Sequence, residues 1–312
     1  MGSYLNPGNK GFQESLNSEI YVDKTGLIEK TNEVLDTRQK FLCVSRPRRF
    51  GKSMAADMLA AYYERGEDSA ELFGTLKISK VESYEKNRNQ YDIIKVNMQE
   101  FLSMTHSMDE MLSMLQKYLI FDLTDHFDNV RFRDENNLIQ VMKDIYSKTK
   151  HSFVILIDEW DCLFREYQQD QEAQKKYLDF LRDLLKEQPY VALAYMTGIL
   201  PIKKYGQHSA LNMFDEYSMT NQYALAKFTG FTEREVRQLC ERYHMSFEQT
   251  KDWYDGYTVN GISIYNPRSV TSAMMNGIFD SYWTQTETYE ALKMYIVRNE
   301  NGLRDKIIRM IA

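Results

Sequence analysis

The chain has 312 residues, 43% hydrophobic and 27% charged, enough for one large domain or two ordinary ones with ample surface to bury. Its 39 basic and 45 acidic residues leave a formal charge of −6, so no global field draws it to nucleic acid or an anionic membrane. The amino terminus has no apolar leader pattern and no apolar run approaches the roughly 20 residues of a membrane helix, so the sequence reads as cytoplasmic.

In chain order, residues 1–40 form an amino-terminal segment in which Glu19 to Thr25 precedes a short helical pattern, Gly26 to Val34. Phe41-Leu42-Cys43-Val44 is a short apolar run between polar residues and predicts a buried strand. Lys52 to Tyr63 comes next, with Met54, Met58, Leu59 and Tyr62 at helical spacing among alanines. A second strand is predicted at Ile93 to Met98, then a helix from Met108 to Phe127. Phe153-Val154-Ile155-Leu156-Ile157 is the most β-branched apolar run in the chain, and this third strand stops at Asp158. The helix predicted over Gln171 to Glu187 gathers Tyr177, Phe180, Leu181, Leu184 and Leu185 on one face, and Pro189 ends it. Val191 to Met196 predicts a fourth strand and Phe214 to Met219 a short fifth. Strands alternating with helices imply a mostly parallel α/β sheet covered on both faces.

Past residue 228 the pattern changes. Thr232-Glu233-Arg234-Glu235 has the form of a capping box, and the rest of the chain reads as mainly helical and rich in tyrosine. These shifts place a boundary near Phe228 and divide the chain into 1–227 and 228–312. Cys43, Cys162 and Cys240 lack CxxC pairing, and the first two sit in apolar stretches, as reduced packed thiols do.

Arg46-Pro47-Arg48-Arg49-Phe50-Gly51-Lys52-Ser53 lies between an apolar strand and an alanine-rich helix. Phosphate binding there needs backbone N–H groups turned to one point, a helix N-terminus behind them and a lysine reaching forward. Gly51 permits close backbone approach, Lys52 supplies a point charge, and the Ser53 hydroxyl is of the type that ligates Mg²⁺. Arg46 departs from the usual pattern, which has glycine at that position, and a solvated basic loop is the competing reading. Asp158-Glu159 supplies the second half of the signature. A carboxylate at the end of a buried strand holds Mg²⁺ through water, and its neighbour orients an attacking water. Two adjacent acids closing an apolar strand call for a charge partner. Thr197, at the tip of the fourth strand, has the geometry to sense a γ-phosphate.

These stretches resemble the bacterial AAA-ATPase-like family, whose members often carry a carboxy-terminal PD-(D/E)XK nuclease domain. The match runs through Tyr21-Val22-Asp23-Lys24-Thr25, the arginine-rich loop, Ile157-Asp158-Glu159-Trp160-Asp161 and Thr197-Gly198-Ile199-Leu200-Pro201. It continues through Phe228-Thr229-Gly230-Phe231-Thr232, Tyr254-Asp255-Gly256-Tyr257 and Tyr265-Asn266-Pro267. The resemblance implies a P-loop NTPase of the additional-strand type, with a parallel sheet of order 5-1-4-3-2 followed by a mainly helical lid. It implies ATP and Mg²⁺ as ligands and hydrolysis that changes the angle between lid and core. Arg48, Arg49, Phe50, Gly51, Lys52 and Ser53 would hold the nucleotide, with Tyr21 and Asp23 lining the adenine site. Ser53 and Asp158 would hold the metal, Glu159 the attacking water, and Thr197 would report the γ-phosphate. Arg268 stands where the family tends to have an aromatic residue and reads as a surface arginine, although a lid arginine would reach the γ-phosphate.

The nuclease motif needs an acid two residues before a lysine, and no lysine of this chain has one. Arg309-Met310-Ile311-Ala312 reads as an unfinished amphipathic helix, so either the nuclease was never encoded or the chain is truncated before it. The five histidines have no HExxH spacing, and no GxSxG elbow is present. Arg48, Arg49, Lys203 and Lys204 offer a small patch for nucleic acid, though the two arginines are more economically used near the triphosphate or on a neighbouring subunit. A nucleic acid, a partner protein or a second copy of the chain are the open partner classes. The rival reading to an ATPase is a nucleotide-dependent switch module with little turnover.

Overall fold

The computed structural model describes residues 2–202, 209–218, 225–255, 257–259 and 262–282. Lys203, Lys204, His208, Met219, Gly256 and the carboxy-terminal helix expected near Arg309 lie outside them.

Five strands, β1 (Phe41–Ser45), β2 (Asp92–Asn97), β3 (Phe153–Asp158), β4 (Val191–Gly198) and β5 (Asp215–Tyr217), pair in parallel in the order β2-β3-β4-β1-β5. From the β5 edge this order is 5-1-4-3-2. Side chains alternate across each strand and sort the core into two faces. Phe41, Cys43, Phe153, Ile155, Ile157, Ala194 and Met196 join a cluster with Leu119, Leu138 and Leu181 from the helices Met108–His126, Leu138–Thr149 and Gln171–Leu185. Leu42, Val44, Val154, Leu156, Leu193 and Tyr195 join the opposite cluster, with Ile28 and Leu59 from the helices Gly26–Val34 and Lys52–Tyr63. Both faces of β3 and β4 are buried, which is why these strands read as unbroken apolar runs.

The β2 edge is covered. Leu5 bridges Ile94 antiparallel, the Asn6 N–H donates to the Ile93 carbonyl at 2.8 Å, and the Lys95 N–H donates to the Tyr4 carbonyl at 2.9 Å. That pairing removes a row of open backbone groups that would otherwise invite another chain.

The carboxy-terminal unit adds a sheet to the helices. Its helices Glu233–Tyr243, Phe247–Tyr254 and Pro267–Asn276 are joined by a small antiparallel sheet, β6 (Phe231–Thr232), β7 (Tyr257–Val259) and β8 (Ile262–Tyr265), in the order β6-β8-β7. Among the described residues the unit is thus mainly helical, with a small sheet that the sequence reading did not include. The capping box forms as its sequence predicts, with Thr232 accepting from the Glu235 N–H and Glu235 answering. A third cluster, containing Val236, Leu239, Tyr265 and Val270, gives this unit its own core and takes in Ile20 from the amino-terminal segment.

Candidate functional site

The order of the sheet breaks between β1 and β4, which are neighbours in space and far apart in sequence. Open α/β sheets bind ligands beyond the carboxyl ends of strands at such a break. The arginine-rich loop leaves β1 at this point. Two of its residues have left-handed backbone, Arg49 at φ +66° and Gly51 at φ +83°. A Cβ on Gly51 would meet nothing within 4 Å, so the glycine is there for its φ and not for room. Gly51 starts the helix Lys52–Tyr63, whose first turn has no side-chain cap and lines the cavity.

Arg46 has no positive φ, so glycine is not demanded at that position. Its side chain is fully buried and runs beneath the loop, donating to the carbonyls of Ser45 at 2.8 Å and Tyr217 at 2.9 Å. The loop is thereby tied to edge strand β5, and its backbone start is held by the Arg46 N–H on the Gly198 carbonyl at 2.9 Å.

Lys52 is 5% exposed, and its ammonium donates to the loop carbonyls of Arg46 at 3.2 Å and Pro47 at 3.1 Å. Burial pulls its pKa down, while the charges of Glu159, Asp158 and Asp161 hold it up. The Ser53 hydroxyl donates to Asp158 Oδ2 at 2.5 Å, and the Thr197 hydroxyl donates to Asp158 Oδ1. Asp158 and Thr197 are buried and do not form the cavity wall; they meet it through Ser53. Glu159 is on the wall, with left-handed backbone at φ +51°, and its carboxylate is paired with Arg165.

The cavity measures 780 Å³ and lies between the parallel sheet, the amino-terminal segment and the carboxy-terminal unit. Arg48, Arg49, Phe50, Gly51, Lys52 and Ser53 line it together with the apolar and aromatic side chains of Phe12, Ile20, Tyr21, Met58, Phe228 and Phe231. The Tyr21 hydroxyl has no hydrogen-bond partner among the described residues, and burial pushes its pKa up. Asp23 does not line the cavity. Its Oδ1 accepts the N–H and hydroxyl of Thr25 at 2.8 and 2.6 Å, and its Oδ2 accepts the Lys77 N–H at 2.7 Å, so it closes a turn instead. Arg268, expected at the surface, forms part of the wall with Pro267 and Thr271.

Sequence reasoning gave no role to Asp161. It is fully buried beside the acid pair and accepts the N–H groups of Ile199 at 3.0 Å and Leu200 at 2.7 Å, which locks the end of β3 to the end of β4. Burial raises its pKa, with Arg165 opposing. An acid two residues past Glu159, next to a buried tryptophan, was the available signal. Among the described residues no cluster of three or more His, Cys, Asp or Glu could hold a metal by itself. No described helix is long and apolar enough to cross a membrane.

The profile of the AAA-ATPase-like family, described as predicted AAA-ATPase, matches residues 8–208. A curated relative, the uncharacterized protein in the vnfD 5' region of Azotobacter chroococcum mcd 1, is 25% identical over 283 residues, covering 86% of this chain and 51% of that protein. The chain thus spans about half the length of that relative. Similar solved structures include the replication initiator DnaA bound to AMPPCP and single-stranded DNA, at TM-score 0.36 and 9% identity, over 95% of this chain and 70% of that one. Cdc6p from Pyrobaculum aerophilum matches at TM-score 0.38 and 11% identity, over 86% and 66%. Likeness at these scores carries no argument about function.

Proposed function

The chain belongs to the predicted AAA-ATPase family, and from that premise we propose that it binds ATP with Mg²⁺ in the 780 Å³ cavity and hydrolyses it. The observation that carries this reading is the meeting of Ser53 Oγ and Asp158 Oδ2 at 2.5 Å beside a left-handed loop at a helix N-terminus. Lys52 and the first-turn N–H groups would hold the β- and γ-phosphates, where Lys52 now rests on loop carbonyls. Arg48 and Arg49 add positive charge to the wall, and Tyr21 offers its hydroxyl to the base or ribose.

The oxygen donors fit a hard divalent cation. Ser53 and Asp158 would hold Mg²⁺, which takes few protein ligands and completes its shell with phosphate oxygens and water. When bound, it draws charge from the phosphate oxygens. Glu159 orients the attacking water and receives its proton at a carboxylate oxygen. Thr197 reads the γ-phosphate through Asp158. The unit from Phe228 onward serves as the lid, and its Arg268, on the wall of the same cavity, would meet the phosphates. Hydrolysis changes the angle between lid and sheet.

A second reading, a nucleotide-dependent switch with little turnover, is favoured by one observation: Glu159 is engaged by Arg165 instead of facing the cavity unpaired. Calorimetric titration with ATP, in Mg²⁺ and then in EDTA, tests the binding claim common to both. Wild type is expected to bind, with affinity at least about tenfold weaker in Lys52→Ala and weaker without Mg²⁺. A wild type that does not take up ATP would refute both readings.

A further inference from the structure

The amino-terminal segment belongs to two cores at once. Ile20 is buried with Val236, Leu239 and Val270 of the carboxy-terminal unit, whereas Leu27 and Ile28 are buried against the parallel sheet. Lys24 stands at the crossing and lines the cavity. Its ammonium donates to Glu235 Oε2 at 2.5 Å and to the Lys227 carbonyl at 2.8 Å, and lies 5.7 Å from the centre of the Phe231 ring. Each side chain of the pair is only 15% exposed. Burial pulls the Lys24 pKa down and Glu235 holds it up.

Each partner is fixed from behind. Glu235 Oε2 also accepts the N–H and hydroxyl of Thr232 at 2.8 and 2.9 Å, so it is built into the start of the helix Glu233–Tyr243. Asp23, through Thr25 and the Lys77 N–H, closes the turn that carries Lys24. A second tie runs parallel to this one, from the Gly230 N–H to the carbonyl of Phe50 in the phosphate loop at 3.0 Å. Gly230 has φ +90°, and a Cβ there would collide with the Ile264 side chain, so this close approach needs glycine. The helix Pro267–Asn276, which brings Arg268 to the cavity wall, shares the third core with Glu233–Tyr243.

Partly buried charge pairs are weak sources of stability, and their best attested use is to select one arrangement among alternatives. We propose that Lys24 is a positioning residue of the nucleotide site: paired with Glu235, it pins the carboxy-terminal unit to the amino-terminal segment and so holds Arg268 on the wall of the cavity that the phosphate loop also lines. The inference rests on the nucleotide reading of that cavity. It also gives the Asp23-Lys24-Thr25 turn a role that lining the adenine site does not.

The test compares wild type, Lys24→Met and the double variant Lys24→Met/Glu235→Gln, all as the full chain. In hydrogen exchange without nucleotide, Lys24→Met should speed exchange in Glu233–Tyr243 and Pro267–Asn276 and leave Met108–His126, on the other face of the sheet, unchanged. With ATP and Mg²⁺, turnover should fall roughly tenfold while ATP affinity moves less than about threefold, as expected for misplacement rather than lost binding. The double variant should be no worse than Lys24→Met, because the carboxylate left unpaired by the first change is gone. Exchange that stays at wild-type rates in those two helices, or rises everywhere alike, overturns the pin. So does an affinity loss that accounts for all the loss of turnover. If wild type itself fails to bind ATP, the nucleotide reading falls separately, and the exchange pattern alone decides on the pin.

Discussion

The two ends of the parallel sheet both bury carboxylates and use them differently. At the carboxyl ends, Asp158 meets the hydroxyls of Ser53 and Thr197, with Lys52 and Glu159 alongside on the cavity wall. At the amino ends, Asp92 is fully buried, takes the Asn6 side-chain amide at 3.1 Å, and has His151 Nδ1 3.0 Å from its other oxygen. Glu64, 2% exposed, accepts the Gly8 N–H at 2.8 Å, and burial pushes its pKa up to about 7. The acids of the amino end are occupied by the segment that covers the β2 edge, and none of them lines the cavity. At the carboxyl end, Asp158 faces the two hydroxyls of Ser53 and Thr197, groups that a metal can displace. Burial of an acid therefore does not by itself mark a site; what its partners can release does.

That contrast can be broken in order of effect. Asp158→Asn should lower ATP turnover by a factor on the order of 10² to 10³ and leave the folded sheet intact, read from phosphate release beside a thermal melt. A comparable loss in Asp92→Asn would dissolve the distinction between the two ends. Glu64→Gln should act on stability alone. The folded-state pKa of Glu64 lies above its unfolded value, so its protonated form is favoured on folding and stability drops as pH rises from about 4.5 to about 7. The glutamine mimics the protonated form. It should therefore raise stability by about 1–2 kcal/mol at pH 8 and by almost nothing at pH 4, in denaturant titrations at the two values. Asn6→Ala removes a buried acceptor of the Ile93 N–H at 2.7 Å and should cost about 1–2 kcal/mol with ATP affinity unchanged. Thr232→Ala, at the capping box, should cost about 1 kcal/mol in the same assay.

Burial and locality also decide which elements were legible in the sequence. β3 and β4 stood out because burial on two faces leaves a continuous apolar run, and the helix Gly26–Val34 and the capping box stood out because their signals are local. β6, β7 and β8 span two to four residues, too short for alternation to appear, which is why the small sheet among the carboxy-terminal helices was not legible. The seven-residue helix Lys10–Leu16 was missed for a similar reason. At the site, the loop and the acid pair were marked by residue type and position. Arg46 looked like a defect because sequence shows a missing glycine and not a φ; the backbone does not need glycine there, and the side chain serves beneath. Asp23 and Arg268 exchanged expectations, one closing a turn and the other reaching the wall, since long-range placement is not written in local pattern.

The central claim is tested most directly by phosphate release from ATP with Mg²⁺, comparing wild type with Lys52→Ala and Glu159→Gln. The account predicts turnover by wild type, loss of turnover in both variants by about 10²-fold or more, and ATP binding retained in Glu159→Gln. Wild type that binds ATP with no turnover would hand the molecule to the switch reading. Turnover that survives in Lys52→Ala and Glu159→Gln alike would contradict the account, because the hydrolysis would then belong to some other site.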